Sequence, residues 1–356
     1  MIQTTIHPDF LDLQSGTYLI YLSYHDSVIR YMSLDGSRHG QVIDLVQNGF
    51  SVSALWTRAT FREVDGQPTV FITHSERLSD SETVMRIGLF TGETRTFQIV
   101  PQPDVDYCVT HTGYVSRDGR WLAADCAWQG KHYIYIVDFE SGDGMGFSPR
   151  GYDYECRDPV EGHRNWEFIW DPENRLLSWC STGFNRAIEC LITPQGGNYQ
   201  CQAGDFDRVL SWSPDGSMVA FFQDLQSPTE SYYYLDDAAC LQNRQTCGEK
   251  VRICDSPNWD SCYFAWDGSG ENLAIIGVSS SNLQDFYTNV YLFNIDDGST
   301  ETLFVGQPGF WQLLGFSPDN RWVVFDLSDI ALFSLDSHLL RRTPTVGEFL
   351  GWYIVP

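Results

Sequence analysis

The chain has 356 residues, of which 42% are hydrophobic and 15% aromatic, so it is long enough to bury a large core. Its 22 basic and 47 acidic residues give a formal net charge of −25. A surface this acidic repels phosphate backbones and anionic lipid surfaces, so we do not expect nucleic-acid binding. No apolar run approaches the roughly 18–20 residues of a membrane span, so we do not expect direct membrane insertion. The charge also serves solubility, whereas cations and basic protein patches stay candidate partners.

The predicted elements are almost entirely short strands, separated by turns rich in glycine, proline, aspartate and asparagine. The first three strands are expected near Tyr18–Tyr24, Val28–Leu34 and Gln41–Leu45. Six segments of four strands each follow, at residues 49–100, 106–149, 163–203, 207–255, 260–305 and 310–345. One more strand, Glu348–Val355, comes after them. Three strands at the head and one at the tail would together complete a further group of four.

A four-residue turn recurs in five of the segments, and an aromatic residue precedes most copies. Its spacing of roughly 40–55 residues predicts stacked supersecondary units. Proline at the second turn position presets φ, and glycine at the fourth tolerates positive φ. The copies are Ser116–Gly119, Asp171–Asn174, Ser213–Gly216, Asp267–Gly270 and Ser317–Asn320.

The segment Trp212–Phe221, which reads Trp-Ser-Pro-Asp-Gly-Ser-Met-Val-Ala-Phe, resembles the repeat of the TolB-type (WD-repeat-like) β-propeller family. Looser copies occur at 114–123, 170–177, 266–275 and 316–325. The resemblance implies an all-β propeller fold. The strand count, six complete groups of four plus one composite group, predicts a single seven-bladed β-propeller of four-stranded blades spanning residues 1–356. The first blade would combine 17–46 with 348–355, so that the C-terminal strand closes the ring and covers an exposed edge. Members of the family occur as periplasmic binding proteins, enzyme accessory domains and polysaccharide lyases, so the resemblance implies no single function.

The ten cysteines predict five local disulfides. Three pairs, 108–126, 190–201 and 240–247, are centred on turns, so their members would lie opposite each other on adjacent strands. The other predicted pairs are 254–262 and 156–180; free core thiols are the alternative. The complete set of predicted disulfide cysteines is Cys108, Cys126, Cys156, Cys180, Cys190, Cys201, Cys240, Cys247, Cys254 and Cys262. Disulfides imply an extracytoplasmic location, periplasmic, secreted or cell-surface. The N-terminus does not read as a signal peptide, which would therefore be absent from this numbering.

One face of the propeller is expected to carry the binding site. The turns joining the first two strands of each blade are minimal. The connections at the opposite ends of the strands are long, and they include predicted loops at His74–Thr83, Asp224–Ser231 and Val278–Asn289. Binding residues concentrate on long loops held by a rigid scaffold. Exposed aromatics beside charged groups suit sugar stacking or a protein hot spot, although packing of these rings onto the blades is the alternative. The candidate binding residues are Tyr152, Tyr154, Arg157, His163, Arg164, Trp166, Trp259, Asp260, Tyr287 and Trp311.

Signs of catalysis are few in the sequence. It contains no Gly-x-Ser-x-Gly elbow, no phosphate-cradling glycine loop and no zinc-type histidine or cysteine spacing. We expect no cofactor and no metal, with calcium in the channel or in a turn as the alternative. The sequence thus favours a non-catalytic binding or scaffold propeller with a protein or glycan partner. Two alternatives stay open. One is a carbohydrate-active lyase or hydrolase that uses His163, Arg157, Arg164 and nearby carboxylates. The other is a structural subunit of a cell-surface assembly, which would form multimers.

Overall fold

In the residues that a computed structural model describes, the chain forms 29 strands, one short α-helix and one 3-10 helix, Pro194–Gly196. The described residues are 2–50, 57–75, 82–99, 107–109, 115–128, 131–147, 167–181, 187–204, 207–224, 231–238, 251–254, 261–282, 285–308, 312–326 and 329–356. The strands form seven antiparallel sheets arranged in a ring, which is a seven-bladed β-propeller. The predicted all-β class and blade number are confirmed. That all 356 residues form one domain stays a prediction.

Each blade contains four strands that follow one another in space, from the inside of the ring outward. Blade 1 is assembled from both ends of the chain, and the other blades are continuous. Blade 1 consists of β29 Gly347–Val355, β2 Gly16–Ser23, β3 Val28–Ser33 and β4 His39–Asp44. Blade 2 consists of β5 Thr57–Val64, β6 Gln67–Ser75, β7 Glu82–Gly88 and β8 Glu93–Ile99. Blade 3 consists of β9 Tyr107–Val109, β10 Trp121–Trp128, β11 Lys131–Asp138 and β12 Gly144–Phe147.

Blades 4 to 7 follow the same plan. Their strands are β13 Glu167–Trp170, β14 Leu176–Ser181, β15 Ala187–Thr193 and β16 Asn198–Gly204; β17 Asp207–Trp212, β18 Met218–Asp224, β19 Ser231–Asp237 and β20 Val251–Cys254; β21 Ser261–Trp266, β22 Asn272–Asn282, β23 Asp285–Asn294 and β24 Thr300–Pro308; β25 Gln312–Phe316, β26 Trp322–Asp326, β27 Ile330–Ser334 and β28 Leu340–Arg342.

The strand β29 closes the ring as the innermost strand of blade 1, as the sequence predicted. It pairs with β2 over its whole length, from Gly16 opposite Val355 to Ser23 opposite Gly347. The register skips Leu350, and it skips Leu210 and Leu314 at the corresponding places in blades 5 and 7. Such a β-bulge bends the strand and increases its local twist. The C-terminal strand therefore occupies the innermost position of its blade and also has the β-bulge found in the innermost strands of blades 5 and 7.

Each seam between neighbouring blades is filled by one cluster of buried hydrophobic side chains. In the seam between blades 7 and 1, for example, Tyr21 packs with Val324 and Leu332. Both faces of each sheet are covered by neighbours, so the strands carry long apolar runs and only partial alternation. The hydrophobic core thus consists of separate clusters between neighbouring blades, arranged around the ring.

The N-terminal segment adds two short elements that the sequence did not predict. The strand β1, Ile2–Gln3, pairs with β8 at the outer edge of blade 2. The helix α1, Pro8–Leu11, is capped by His7, whose Nδ1 accepts a hydrogen bond from the Asp9 amide at 3.3 Å. Its Phe10 is 1% exposed and packs in the seam between blades 1 and 2, with its ring centroid 5.3 Å from that of Tyr353.

Two predicted disulfides are present in the described residues. Cys190–Cys201 joins the two outer strands of blade 4, and Cys254–Cys262 ties blade 5 to blade 6. Cys126 is also disulfide-bonded, and Cys108 lies opposite it in the pairing of β9 with β10. Cys156, Cys240 and Cys247 lie outside the described residues, so the pairs 156–180 and 240–247 stay predictions. Within the described chain, no helix combines the length and apolar composition needed to cross a bilayer.

We expect Phe10→Ala to lower the free energy of unfolding by about 3–5 kcal/mol, because it leaves a cavity in the seam between blades 1 and 2. Leu11→Ala is the matched control, since Leu11 is the next residue of the same helix and is 47% exposed. Its effect should stay within about 1 kcal/mol. Urea denaturation of the two variants measures both values, and equal effects would show that α1 does not brace this seam.

Candidate functional site

The two faces of the ring differ in how their strands are connected. On the short-turn face, tight turns join the first strand to the second and the third to the fourth, as at Asp65–Gly66 between β5 and β6. The exception there is residues 239–250 of blade 5. On the opposite, long-connection face, the links include residues 76–81, 100–106 and 148–166, which lie between described strands. The predicted asymmetry of connection length is therefore present in the fold.

Of the predicted binding residues, Tyr287 falls within the described residues, and it lies on the long-connection face. It lies near the start of β23 and is 40% exposed. The remaining candidates lie outside the described residues, so whether they converge stays a prediction. These are Tyr152, Tyr154, Arg157, His163, Arg164, Trp166, Trp259, Asp260 and Trp311.

Tyr287 belongs to a hairpin that extends blade 6 on this face. The sequence analysis took Val278–Asn289 as a loop, which is wrong: β22 and β23 stay paired from Val278 opposite Thr288 out to Asn282 opposite Asp285. β22 has 11 residues and β26 of the adjacent blade has 5, and both begin just after the ring of turns. At about 3.3 Å per residue, blade 6 reaches roughly 20 Å further than blade 7.

The fold holds this hairpin from its base. Val278 and Thr288 are fully buried where β22 and β23 leave the core, and Val290, two residues further along β23, is fully buried as well. The outer strand continues alongside, since Pro308 of β24 lies opposite Tyr287. A three-stranded extension anchored in this way presents Tyr287 on a regular scaffold.

Blade 1 supplies the other well-described part of the long-connection face. Its turn between β2 and β3 carries Asp26, which forms an ion pair with Arg30. Burial alone would raise the pKa of Asp26, but hydrogen bonds and the charge of Arg30 outweigh burial and hold that pKa below its usual value. The hydroxyl of Tyr24 donates to Glu348 Oε2 at 3.3 Å, which links this turn to the closing strand.

On the short-turn face, the recurring turns are joined into a chain of contacts around the ring. In all five copies, the amide of the fourth residue donates to the carbonyl of the first at 2.9–3.2 Å. The fourth residue also contacts the preceding blade. Asn320 Oδ1 accepts from the Gly268 amide at 2.7 Å, and Asn174 Oδ1 accepts from the Asp118 amide at 3.2 Å.

Glycine occupies the same position in the other three copies, where a Cβ would approach the preceding blade, tightly at Gly119 and Gly216 and at ordinary contact distance at Gly270. Gly119, Gly216 and Gly270 have φ between 69° and 79°, and a Cβ on Gly216 would lie 3.2 Å from Pro172. Asn174 and Asn320 adopt φ of 58° instead, a conformation that asparagine tolerates better than most residues. The choice between glycine and asparagine thus follows the contact with the neighbouring blade.

Carboxylates on this face mostly serve the turns themselves. Asp215 accepts from Ser213 Oγ at 2.6 Å and from the Ser217 amide at 3.0 Å, and these bonds lower its pKa. Asp35 has the same arrangement with Ser33 and Ser37, which lowers its pKa to about 2. Among the described residues, no three histidine, cysteine or acidic side chains are grouped as metal ligands would be.

A small pocket of about 180 Å³ opens on blade 2 on the short-turn face. Its wall includes Arg86, Arg95, Asp65 and Glu93, and Arg95 Nε donates to Glu93 Oε1 at 2.9 Å. Burial lowers the pKa of Arg86, and the charge of Arg95 adds to this effect. The charges lining the pocket balance, so it does not by itself select for an ion of either sign.

Comparison with known proteins supports the fold. No protein-family model and no curated protein matches the chain. Among solved structures, it is similar to a prolyl endopeptidase (TM-score 0.58, 11% identity, 96% of this chain, 49% of that one). It is also similar to an oligogalacturonate lyase in complex with manganese (TM-score 0.52, 11% identity, 96% and 86%). A putative TolB from Agrobacterium tumefaciens shares 14% identity over 94% of this chain and 100% of that one, with a TM-score of 0.46.

These likenesses show a β-propeller and no more. The chain spans about half the length of the prolyl endopeptidase, and the TM-score of the TolB comparison is too low to carry an argument. The neighbours include peptidases, a lyase and a TolB, so the fold alone leaves binding and catalysis open. Membership in the TolB-type family stays a prediction.

The lowered pKa of Asp35 predicts a specific pH dependence. Its folded pKa of about 2 lies below the roughly 3.9 of an unfolded aspartate, so its contribution to stability is present above about pH 4 and is lost as pH falls through 2. We expect the difference in melting temperature between wild type and Asp35→Asn to shrink steadily from pH 4 to pH 2. Ser33→Ala, which removes one donor, should reduce the same pH dependence. A difference that is equal at pH 6 and pH 2 would contradict this assignment.

Proposed function

We propose that this propeller is a non-catalytic binding or scaffold protein that engages a protein or glycan partner through its long-connection face. The observation that carries the proposal is the extended hairpin of blade 6, which presents the exposed ring of Tyr287 on that face. A tyrosine offers a large apolar face together with a hydroxyl, which suits both sugar stacking and protein hot spots.

The rigidity of the support favours recognition. A side chain on a paired strand loses less conformational entropy on binding than one on an unstructured segment, so more of its contact energy appears as affinity. The strands that carry Tyr287 are anchored by the fully buried Val278 and Thr288. The long connections around the ring supply further candidate contacts, which are the undescribed residues named above.

We propose an extracytoplasmic location. The support is the pair of disulfides Cys190–Cys201 and Cys254–Cys262, which are typical of oxidising compartments and rare in the cytosol. The first joins adjacent strands of one blade, and the second joins two blades, so both would add to stability where thiols are oxidised.

We expect Tyr287→Ala to weaken binding of the recognised ligand at least about tenfold, because it removes the exposed ring from the hairpin. Purified protein is titrated against an array of glycan fragments that includes oligogalacturonates. A photo-crosslinking residue at position 287, in the cells that make the protein, identifies a protein partner. Leu339→Ala is the control, since Leu339 is 55% exposed but lies on the short-turn face. No specific ligand in either assay, or equal binding by wild type and Tyr287→Ala, would contradict the proposal.

The alternative of a carbohydrate-active enzyme is tested in the same preparation. The solved oligogalacturonate lyase, of which this chain covers 86%, makes oligogalacturonate with manganese the substrate to try first. If wild type forms unsaturated products from oligogalacturonate, the protein is a lyase and the proposal of a non-catalytic binding protein is wrong. A stable multimer in size-exclusion chromatography, without any ligand, would instead favour a structural subunit.

A further inference from the structure

Two arginines that have no carboxylate partner among the described residues are neighbours where the innermost parts of blades 2 and 3 meet on the short-turn face. Arg62 belongs to β5, and Arg117 occupies the second position of the turn Ser116–Gly119. The side chain of Arg62 spans the seam: its Nη1 donates to its neighbour's carbonyl, Phe61 O, at 2.8 Å, and its Nη2 reaches Val115 O of blade 3 at 3.5 Å.

Most of the hydrogen-bonding capacity of Arg62 is unused. A guanidinium has five N–H groups, and here two of them reach neutral carbonyl oxygens. The Nε atom is shielded from solvent and has no hydrogen-bond partner in the described part of the chain. Burial and the charge of Arg117 lower the pKa of Arg62 to about 10, so it stays positively charged at neutral pH. A shielded positive charge with unused donors is costly unless an anion approaches it.

Arg117 is exposed beside it and has no ion pair with any described residue. The carboxylate whose field acts on Arg117 is that of Asp171. Asp171 is already engaged, since its Oδ2 accepts from Arg175 Nε at 2.5 Å and its Oδ1 accepts two amides. Arg117 is therefore free to contact a ligand from solvent.

Two other arginines of the short-turn face are neutralised by carboxylates. Arg120 follows Arg117 in the chain by three residues, and its Nη2 lies 3.0 Å from Asp138 and 3.4 Å from Glu140. Arg321 pairs with Asp336. Toward the opposite face, Arg342 pairs with Asp329 at 3.1 Å. In a chain of net charge −25, carboxylates are abundant, so two neighbouring arginines that have none as partners in the described part of the chain are an uncompensated positive site.

We propose that Arg62 and Arg117 form a binding site for a small oxyanion at the rim of the ring on the short-turn face. A planar guanidinium matches two oxygens of a carboxylate or a phosphate, which is the ligand chemistry that both side chains share. Arg117 would meet the ligand first, and Arg62 would contact it from the seam. The site lies on the face opposite Tyr287, so it is independent of the proposed function and would tie a second ligand to the junction of two blades.

The test is anion-dependent thermal stability at constant, low ionic strength, where screening by salt is weak. Wild type is titrated with inorganic phosphate and, separately, with citrate. A ligand that binds only the folded state should raise the melting temperature, by about 3 °C when its concentration is about 100-fold above Kd. The anion with the lower Kd shows whether the site prefers phosphate or carboxylate oxygens.

We expect Arg117→Gln to raise the Kd for the preferred anion about tenfold or more, and Arg62→Lys to raise it as well, because lysine keeps the charge but loses the fork. Arg342→Gln makes the same change at an exposed, carboxylate-paired arginine and should bind as wild type does. The proposal is overturned if neither anion stabilises wild type, if Arg117→Gln binds equally well, or if Arg342→Gln loses the effect. Because Arg117 is exposed in a turn, its variant should fold, and circular dichroism checks that it does.

Discussion

The pairing of β29 with β2 is the contact on which the whole ring depends. Without it, blade 1 would lack its innermost strand, and the two seams on either side would lose side chains from the C-terminus. Leu350 and Tyr353 pack toward blade 2, whereas Phe349 and Trp352 pack against the cluster shared with blade 7. One strand therefore completes both hydrophobic clusters. The N-terminal segment reinforces the same region, since Phe10 lies against Tyr353 and β1 covers the outer edge of blade 2.

Closing seven blades into a ring also constrains the face on which the strands turn most tightly. Neighbouring turns approach each other closely there, and the fourth turn position holds either glycine or an asparagine that bonds to the preceding blade. The carboxylates of Ser-x-Asp turns are used in the same local way, as acceptors that hold the turn. The opposite face lacks these recurring turns in its described part, and it carries longer connections and an extended hairpin. The difference between the faces thus follows from packing around a closed ring.

The sequence predicted the repeated features well because their chemistry is local. A Ser-Pro-Asp-Gly turn between apolar runs specifies a hairpin wherever it occurs, and opposed cysteines follow from its register. The repeat Leu-Gly-aromatic, at Leu314 and again at Leu350, was a further signal for the closing strand that the sequence analysis missed. The helix α1 and the strand β1 are too short to show periodicity, so nothing in their sequence distinguished them from a loop.

The extension of blade 6 was missed for a different reason. The outer part of β22 is Ser279-Ser280-Ser281-Asn282, a polar run that is typical of loops, and its pairing depends on the strand-forming residues of β23 opposite it. Strand formation depends on both paired segments, so the propensity of one segment alone underestimates it.

The distribution of charge is likewise not visible in one segment of the sequence. Arg62 and Arg117 are 55 positions apart in sequence, and only the seam between two blades shows that they are neighbours while Arg120 pairs with the carboxylates. In a strongly acidic chain, a site for an anion therefore depends on which of the few basic side chains lack a carboxylate partner in the folded protein. The net charge alone does not identify those side chains.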